Sequence, residues 1–119
     1  MPQGTRAERV GEEFREILAE EIQKLKDPRV GFVTVTGVRV TPDLRLAHVY
    51  YSSYGDAAAK AGTRAALRSA APHLRATIGR QVRLKYLPEL EFEEDRTIEQ
   101  AERIDRLMAG LHAEELTDG

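Results

Sequence analysis

The sequence has no cysteine and no tryptophan, and only 6% of its 119 residues are aromatic. Without cysteine there is no disulfide framework, no thiol nucleophile and no thiolate metal site. Long apolar runs are also absent, so no stretch approaches the length of a membrane-spanning helix. The opening M-P-Q-G-T-R-A-E lacks the apolar centre of a secretory signal, and the expectation is a cytoplasmic chain. A further absence is local. Residues 57–88 contain no acid, although the whole chain carries 20 acids against 18 cations.

What is present suits a folded domain. A hydrophobic share of 41% beside 32% charged residues excludes general disorder. At this length a single domain over residues 1–119 is expected, burying about 65% of the surface that its unfolded chain exposes. Residues 1–4 and about 113–119 read as flexible tails. The acid-free window holds Lys60, Arg64, Arg68, Arg75, Arg80, Arg83 and Lys85, whereas residues 89–119 hold eleven acids and three cations. Such a division points to a polyanion or an acidic partner for the middle third, with the acidic end facing elsewhere.

Periodicity supplies the elements. Thr5 and Glu8 have capping-box spacing, and Val10, Phe14, Ile17, Leu18, Ile22 and Leu25 follow at helical intervals, predicting a helix of about five turns that stops at Pro28. Phe32 to Val40 is β-branched, with a parity switch at Gly37 that predicts a bulge. After the turn Thr41-Pro42-Asp43-Leu44, a returning strand from Arg45 to Tyr54 points Ala47, Val49 and Tyr51 at the core. A second helix from Ala57 to about Ala71 sets Ala59, Thr63, Ala66, Leu67 and Ala70 on one narrow face, flanked by the row Lys60, Arg64, Arg68. Three like charges in a row weaken a helix and ask for a neutralising partner.

Pro72 fits the first position of a third, short helix in which Leu74 and Ile78 bury while Arg75 and Arg80 project. Val82 to Glu93 alternates as a strand, and Pro88 within it marks an edge or a bulge. Thr97 to Gln100 opens a last helix carrying Ile98, Ala101, Ile104, Leu107, Met108 and Leu111. The order is α-β-β-α-α-β-α, an α+β fold.

Few residues suggest chemistry. His48, His73 and His112 match no metal spacing. Glu89, Glu91 and Glu93 share one strand face and read as a solvated acidic edge. A hydrolase or nuclease built on the acids of residues 89–95 would need a divalent metal, and no nucleophile–base pair accompanies them. Asp27-Pro28-Arg29 supports two readings, an RNA contact through Arg29 or a turn in which Arg29 pairs with an acid. Tyr50, Tyr51 and Tyr54 could stack bases, but packing at a covered sheet is preferred. The join S-A-A-P-H before residue 74 also lacks the glycines of a Gly-x-x-Gly loop, whose backbone approaches phosphates.

The element order α-β-β-α-α-β resembles that of the prokaryotic-type KH domain, an RNA-binding fold. R-A-E-R-V, K-D-P-R-V-G, T-P-D-L-R-L-A-H-V-Y and L-P-E-L-E-F-E-E-D, in that order, narrow the resemblance to the ribosome-binding factor A family. It spans Arg6 to about Leu111. It implies a KH-like fold whose Gly-x-x-Gly loop is replaced by a kinked helix pair with an Ala-x-Gly interruption. Ala70 takes the alanine, and Pro72 departs from the glycine. It also implies binding to the free 30S subunit and its 16S ribosomal RNA, with help in late maturation, including 5′-end processing of the precursor, and a link to growth in the cold. No catalysis and no cofactor are implied, and other assembly factors are further partners of what is expected to be a monomer.

The contacts implied are Arg75, the pair Arg83 and Lys85 on the last strand, and Arg6 and Arg9. The charge pattern adds Arg64, Arg68 and Arg80, with Arg29 as a further candidate. Without a glycine loop, grip must come from long cationic side chains on rigid helices, reading backbone and shape rather than bases. Six phosphate contacts give a log–log salt slope on the order of −4 to −5. Charge reversal at Arg75 and Arg80 is expected to abolish co-sedimentation with the subunit and to leave the melting temperature nearly unchanged. The rival reading is a protein-interaction module whose basic face docks an acidic partner.

Overall fold

The structure, a computed structural model, describes residues 5–96, 104 and 106–110. Helix α1, Arg6–Gln23, starts where Thr5 accepts the Glu8 N–H at 3.2 Å. Val10, Phe14, Leu18 and Ile22 form its buried stripe. Gly11 lies beneath it, where an added Cβ would come within 2.8 Å of the Val38 carbonyl oxygen. Only glycine allows the helix to lie this close to the strand. The helix ends earlier than Pro28 requires. The Lys24 and Leu25 N–H groups bond three residues back, to Glu21 and Ile22, which tightens and terminates the last turn.

Strands β1, Val33–Val40, and β2, Leu46–Ser53, form an antiparallel hairpin with the register Val33↔Ser53 to Val40↔Ala47. The register shifts between Val35 and Gly37, the bulge that the parity switch predicts. In the turn, Asp43 accepts the Thr41 hydroxyl at 2.6 Å and the Arg45 N–H at 3.1 Å. These bonds hold its carboxyl below the ordinary aspartate range, the Thr41 bond most of all. Ala47, Val49 and Tyr51 of β2 face inward as expected.

Helix α2, Ala57–Gln81, is capped by Asp56, which accepts the Ala59 N–H at 2.8 Å. It enters through Gly55 at φ +115°, a conformation that favours glycine. The two helices expected on either side of Pro72 are one: helical backbone runs through Ala71 and Pro72 to Gln81. Proline removes an N–H that would serve the Arg68 carbonyl, a penalty of about 3 kcal/mol in a helix interior. Leu67 before it and Leu74 and Ile78 after it are completely buried. At roughly 1.5–3 kcal/mol per buried side chain, packing both halves on one core outweighs the local defect.

β3, Glu89–Glu94, runs parallel to β2, so β2 is central between two edge strands. It begins seven residues later than the alternation suggested. Pro88 has no N–H for a ladder, and pairing starts at Glu89, whose N–H bonds the Arg45 carbonyl at 2.9 Å. Both helices cover one sheet face, α1 over β1 and α2 beside β3. Residues 104 and 106–110 are helical, with Ile104, Leu107 and Met108 exposed. The capping box at Thr97–Gln100, together with Ile98, Ala101, Leu111, His112 and both tails, lies outside the described residues.

Candidate nucleic-acid interface

The cationic window occupies α2 and the loop of residues 82–88 that leads to β3. Successive turns of α2 set Lys60, Arg64 and Arg68 in one row, beside the edge strand. The fold supplies the neutralising partner for two of them. Glu94, only 9% exposed, places its carboxylate oxygens 3.4 Å from Lys60 Nζ and 4.0 Å from Arg64 Nη2. A nearly buried carboxylate needs such partners. The Arg64 side chain stays half exposed, so it contacts solvent and Glu94 together. Arg68, one turn on, is exposed and has no ion-pair partner among the described residues.

Between α2 and β3 lies a cleft of about 340 Å³ lined by Arg64, Arg68 and Ala71 on one side and Leu90 to Glu93 on the other. Glu91 and Glu93 give it a negative lip, so an anion meets the outer face of α2 rather than this cleft. Glu89, Glu91 and Glu93 are exposed together, as their spacing predicted. His48 Nδ1 stands 3.7 and 3.6 Å from the carboxylates of Glu91 and Glu93 on the same face. Among the described residues no group of three or more acids or histidines is placed to hold a metal ion.

Arg75 does not project. Its Nη2 donates to the Leu87 carbonyl at 2.7 Å and its Nε to the Pro88 carbonyl at 3.0 Å, with Glu89 at 3.4 Å from Nη2. It is a strut between helix and loop: two successive carbonyls accept from two donors of one guanidinium fork. Arg80 is exposed and gives one bond, to the Thr77 hydroxyl at 3.0 Å. Arg83 and Lys85 are exposed on the loop and not on the strand where the resemblance put them. Pro72 is exposed, whereas Ala70 is half-buried and packs against the core.

Of the remaining candidates, Arg29 packs on α2, where its carbonyl accepts the Thr63 hydroxyl at 3.3 Å, whereas Arg6 and Arg9 lie on α1. Arg29 bonds Asp27 through Nη2 at 2.6 Å, and its N–H closes an Asx turn on the same carboxylate at 2.9 Å. The turn reading of Asp27-Pro28-Arg29 is the one observed. The Arg29 side-chain bond lowers the Asp27 carboxyl to a pKa of about 2, and Asp27 in turn raises the guanidinium. Arg6 and Arg9 open α1, whose strand neighbour β1 is the edge opposite β3; Arg9 shares a cleft with Glu8, Glu12, Glu13 and Val38. Two further residues at the loop stood outside the expectations from the sequence. Arg45 carries its guanidinium 4.7 Å over the Tyr86 ring, and Tyr86 is 54% exposed. The available signal is an aromatic beside a lysine within R-L-K-Y-L-P, ahead of a proline that cannot join a ladder.

A three-stranded sheet with helices on one face, and a cationic helix and loop in place of glycines, is a KH-like α+β domain of the variant kind without Gly-x-x-Gly. The model of the family described as ribosome-binding factor A matches residues 6–108, and this chain belongs to that family. Ribosome-binding factor A of Geobacter sulfurreducens is 46% identical over 114 residues, covering 95% of this chain and 97% of the relative. The crystal structure of ribosome-binding factor A from Thermus thermophilus superposes with a TM-score of 0.69 at 34% identity, over 78% of this chain and all of that one. Coordinates of the Thermus thermophilus factor fitted into a cryo-EM map of its 30S complex match with a TM-score of 0.65 at 36% identity, over 76% of this chain and 96% of that one.

Proposed function

We propose that this protein binds the free 30S subunit and assists late maturation of its 16S ribosomal RNA, including 5′-end processing of the precursor, with a contribution to growth in the cold. The observation that carries this reading is the family match over residues 6–108, which includes the whole cationic helix and loop. Arg68, Arg80, Arg83 and Lys85 make the phosphate contacts, and Arg64 joins them by exchanging Glu94 for RNA. Arg75 acts indirectly, by fixing the loop that presents Arg83 and Lys85. Binding goes to folded RNA shape and backbone, and neither catalysis nor a cofactor enters. The protein acts as a single-domain monomer in the cytoplasm, where no helix of the described residues is long and apolar enough to cross a membrane.

Co-sedimentation with isolated small subunits tests the binding. The wild type pellets with free 30S particles in moderate salt, and the substitutions Arg68→Glu and Arg83→Glu together remove it from the pellet. A cell lacking the protein accumulates 16S precursor with an extended 5′ end. Normal 5′ ends in such a cell would remove processing from the function and leave subunit binding standing.

A further inference from the structure

We propose that Tyr86, with Arg45 and Lys85, forms a stacking point for one unpaired nucleobase of RNA, an inference that rests on the RNA-binding reading above. Tyr86 sits in the loop of residues 82–88, which is held at its start by the Val82 N–H bond to the Ile78 carbonyl at 2.9 Å and more heavily at its end. Arg75 holds the Leu87 and Pro88 carbonyls, Glu89 bonds the Arg45 carbonyl, and Pro88 is fully buried. Leu87 packs so tightly on α2 that a Cβ on Gly79 would reach its Cδ2 at 3.0 Å. The chain around Tyr86 is therefore fixed while its ring stays in solvent.

Two cations flank that ring, the Arg45 guanidinium at 4.7 Å from its centroid and Lys85 Nζ at 5.6 Å. Both lie within cation–π range, which orients the ring without burying it. Asp43, two residues from Arg45, is engaged by the Thr41 hydroxyl and the Arg45 N–H. Arg83, also exposed, is with Lys85 the second cation of the loop, and it has no carboxylate partner among the described residues. The other exposed aromatics of the core domain, Phe32 and Tyr54, have no cation over their rings among the described residues.

A planar ring on a rigid loop, next to long cations, has the parts that hold a single-stranded nucleotide. The base stacks on tyrosine or on the guanidinium plane, and the phosphates on either side meet lysine and arginine. Duplex RNA cannot use it, since its bases are already stacked. Every base has a π face, so the site accepts any unpaired base.

The chain has no tryptophan, so in a Tyr86→Trp variant the indole emission reports this place alone. Titration with short oligoadenylate quenches that emission to saturation, while a duplex of equal length leaves it bright. The matching Tyr54→Trp variant is unaffected by either. Tyr86→Ala weakens binding to isolated small subunits roughly five- to a hundredfold with the melting midpoint unchanged, and Tyr86→Phe keeps wild-type affinity. Equal quenching at the two indoles, or wild-type affinity for Tyr86→Ala, overturns the stacking point and leaves RNA binding intact. Loss of salt-dependent RNA binding by the wild type itself overturns the wider reading and this one with it.

Discussion

Arg75 shows how a cation that looks free on a helical wheel becomes part of the frame. Its guanidinium meets two backbone carbonyls at 2.7 and 3.0 Å, and nothing in the local sequence announces that pairing. Hydrogen bonds from a charged group contribute about 1.5–3 kcal/mol, so Arg75→Ala lowers unfolding stability by about 1–3 kcal/mol in denaturant titration, while Arg80→Ala stays within about 0.5 kcal/mol. Equal effects of the two would contradict the strut. Asp27 supplies a second check. Its folded carboxyl titrates at about 2, below its unfolded value of 3.8. The depressed value means a stabilising contribution present above the unfolded pKa and lost as pH falls from about 4 toward 2. Carboxyl-resolved NMR titration follows this directly, and Arg29→Gln returns the midpoint toward the ordinary aspartate range. Short-range chemistry of this kind was legible: both halves of the Asp27 turn lie within three residues. The Glu94 pairing with Lys60 and Arg64 was not, because it joins positions that only the β3 crossover brings together.

At the scale of elements, hydrophobic spacing and β-branched runs determined nearly every assignment, including the bulge at Gly37. Three boundaries were misjudged, each near a proline, the first being α1, which tightens and ends at Gln23 before Pro28 acts. Local rules break a helix at Pro72 and let a strand begin before Pro88; burial of Leu67, Leu74 and Ile78 overrides the break, and the Arg75 strut explains the later strand start. Pro72 is exposed, so substitutions there report the backbone alone. Pro72→Ala raises the melting midpoint, and Pro72→Gly falls below it by about 1 kcal/mol, the usual difference between the two residues in a helix interior. If the proline shapes the surface offered to RNA, the alanine variant binds small subunits less well in spite of its greater stability. Gly11 tests the α1–β1 contact. An alanine methyl would lie 2.8 Å from the Val38 carbonyl oxygen, and the forced shift lowers stability by about 1–3 kcal/mol in thermal or denaturant unfolding.

At the scale of the whole molecule, the acid-free window of the sequence does not map onto an acid-free surface. β3 returns Glu89, Glu91, Glu93 and Glu94 alongside α2, so positive potential concentrates on the outer helix face and the loop of residues 82–88. On α2 and this loop, Arg68, Arg80, Arg83 and Lys85 have no carboxylate partner among the described residues. Four full phosphate contacts, beside an Arg64 whose charge Glu94 already offsets and which therefore releases little counterion, give a log–log salt slope on the order of −3 to −4, shallower than the six-cation expectation. The measurement that bears most directly on this account is the salt dependence of binding to isolated small subunits, for the wild type and for a variant with glutamine at those four positions. A wild-type slope on the order of −3 to −4 that collapses together with affinity in the variant agrees with a cationic helix and loop that grip the RNA backbone. A variant that keeps wild-type affinity and an unchanged slope would contradict it.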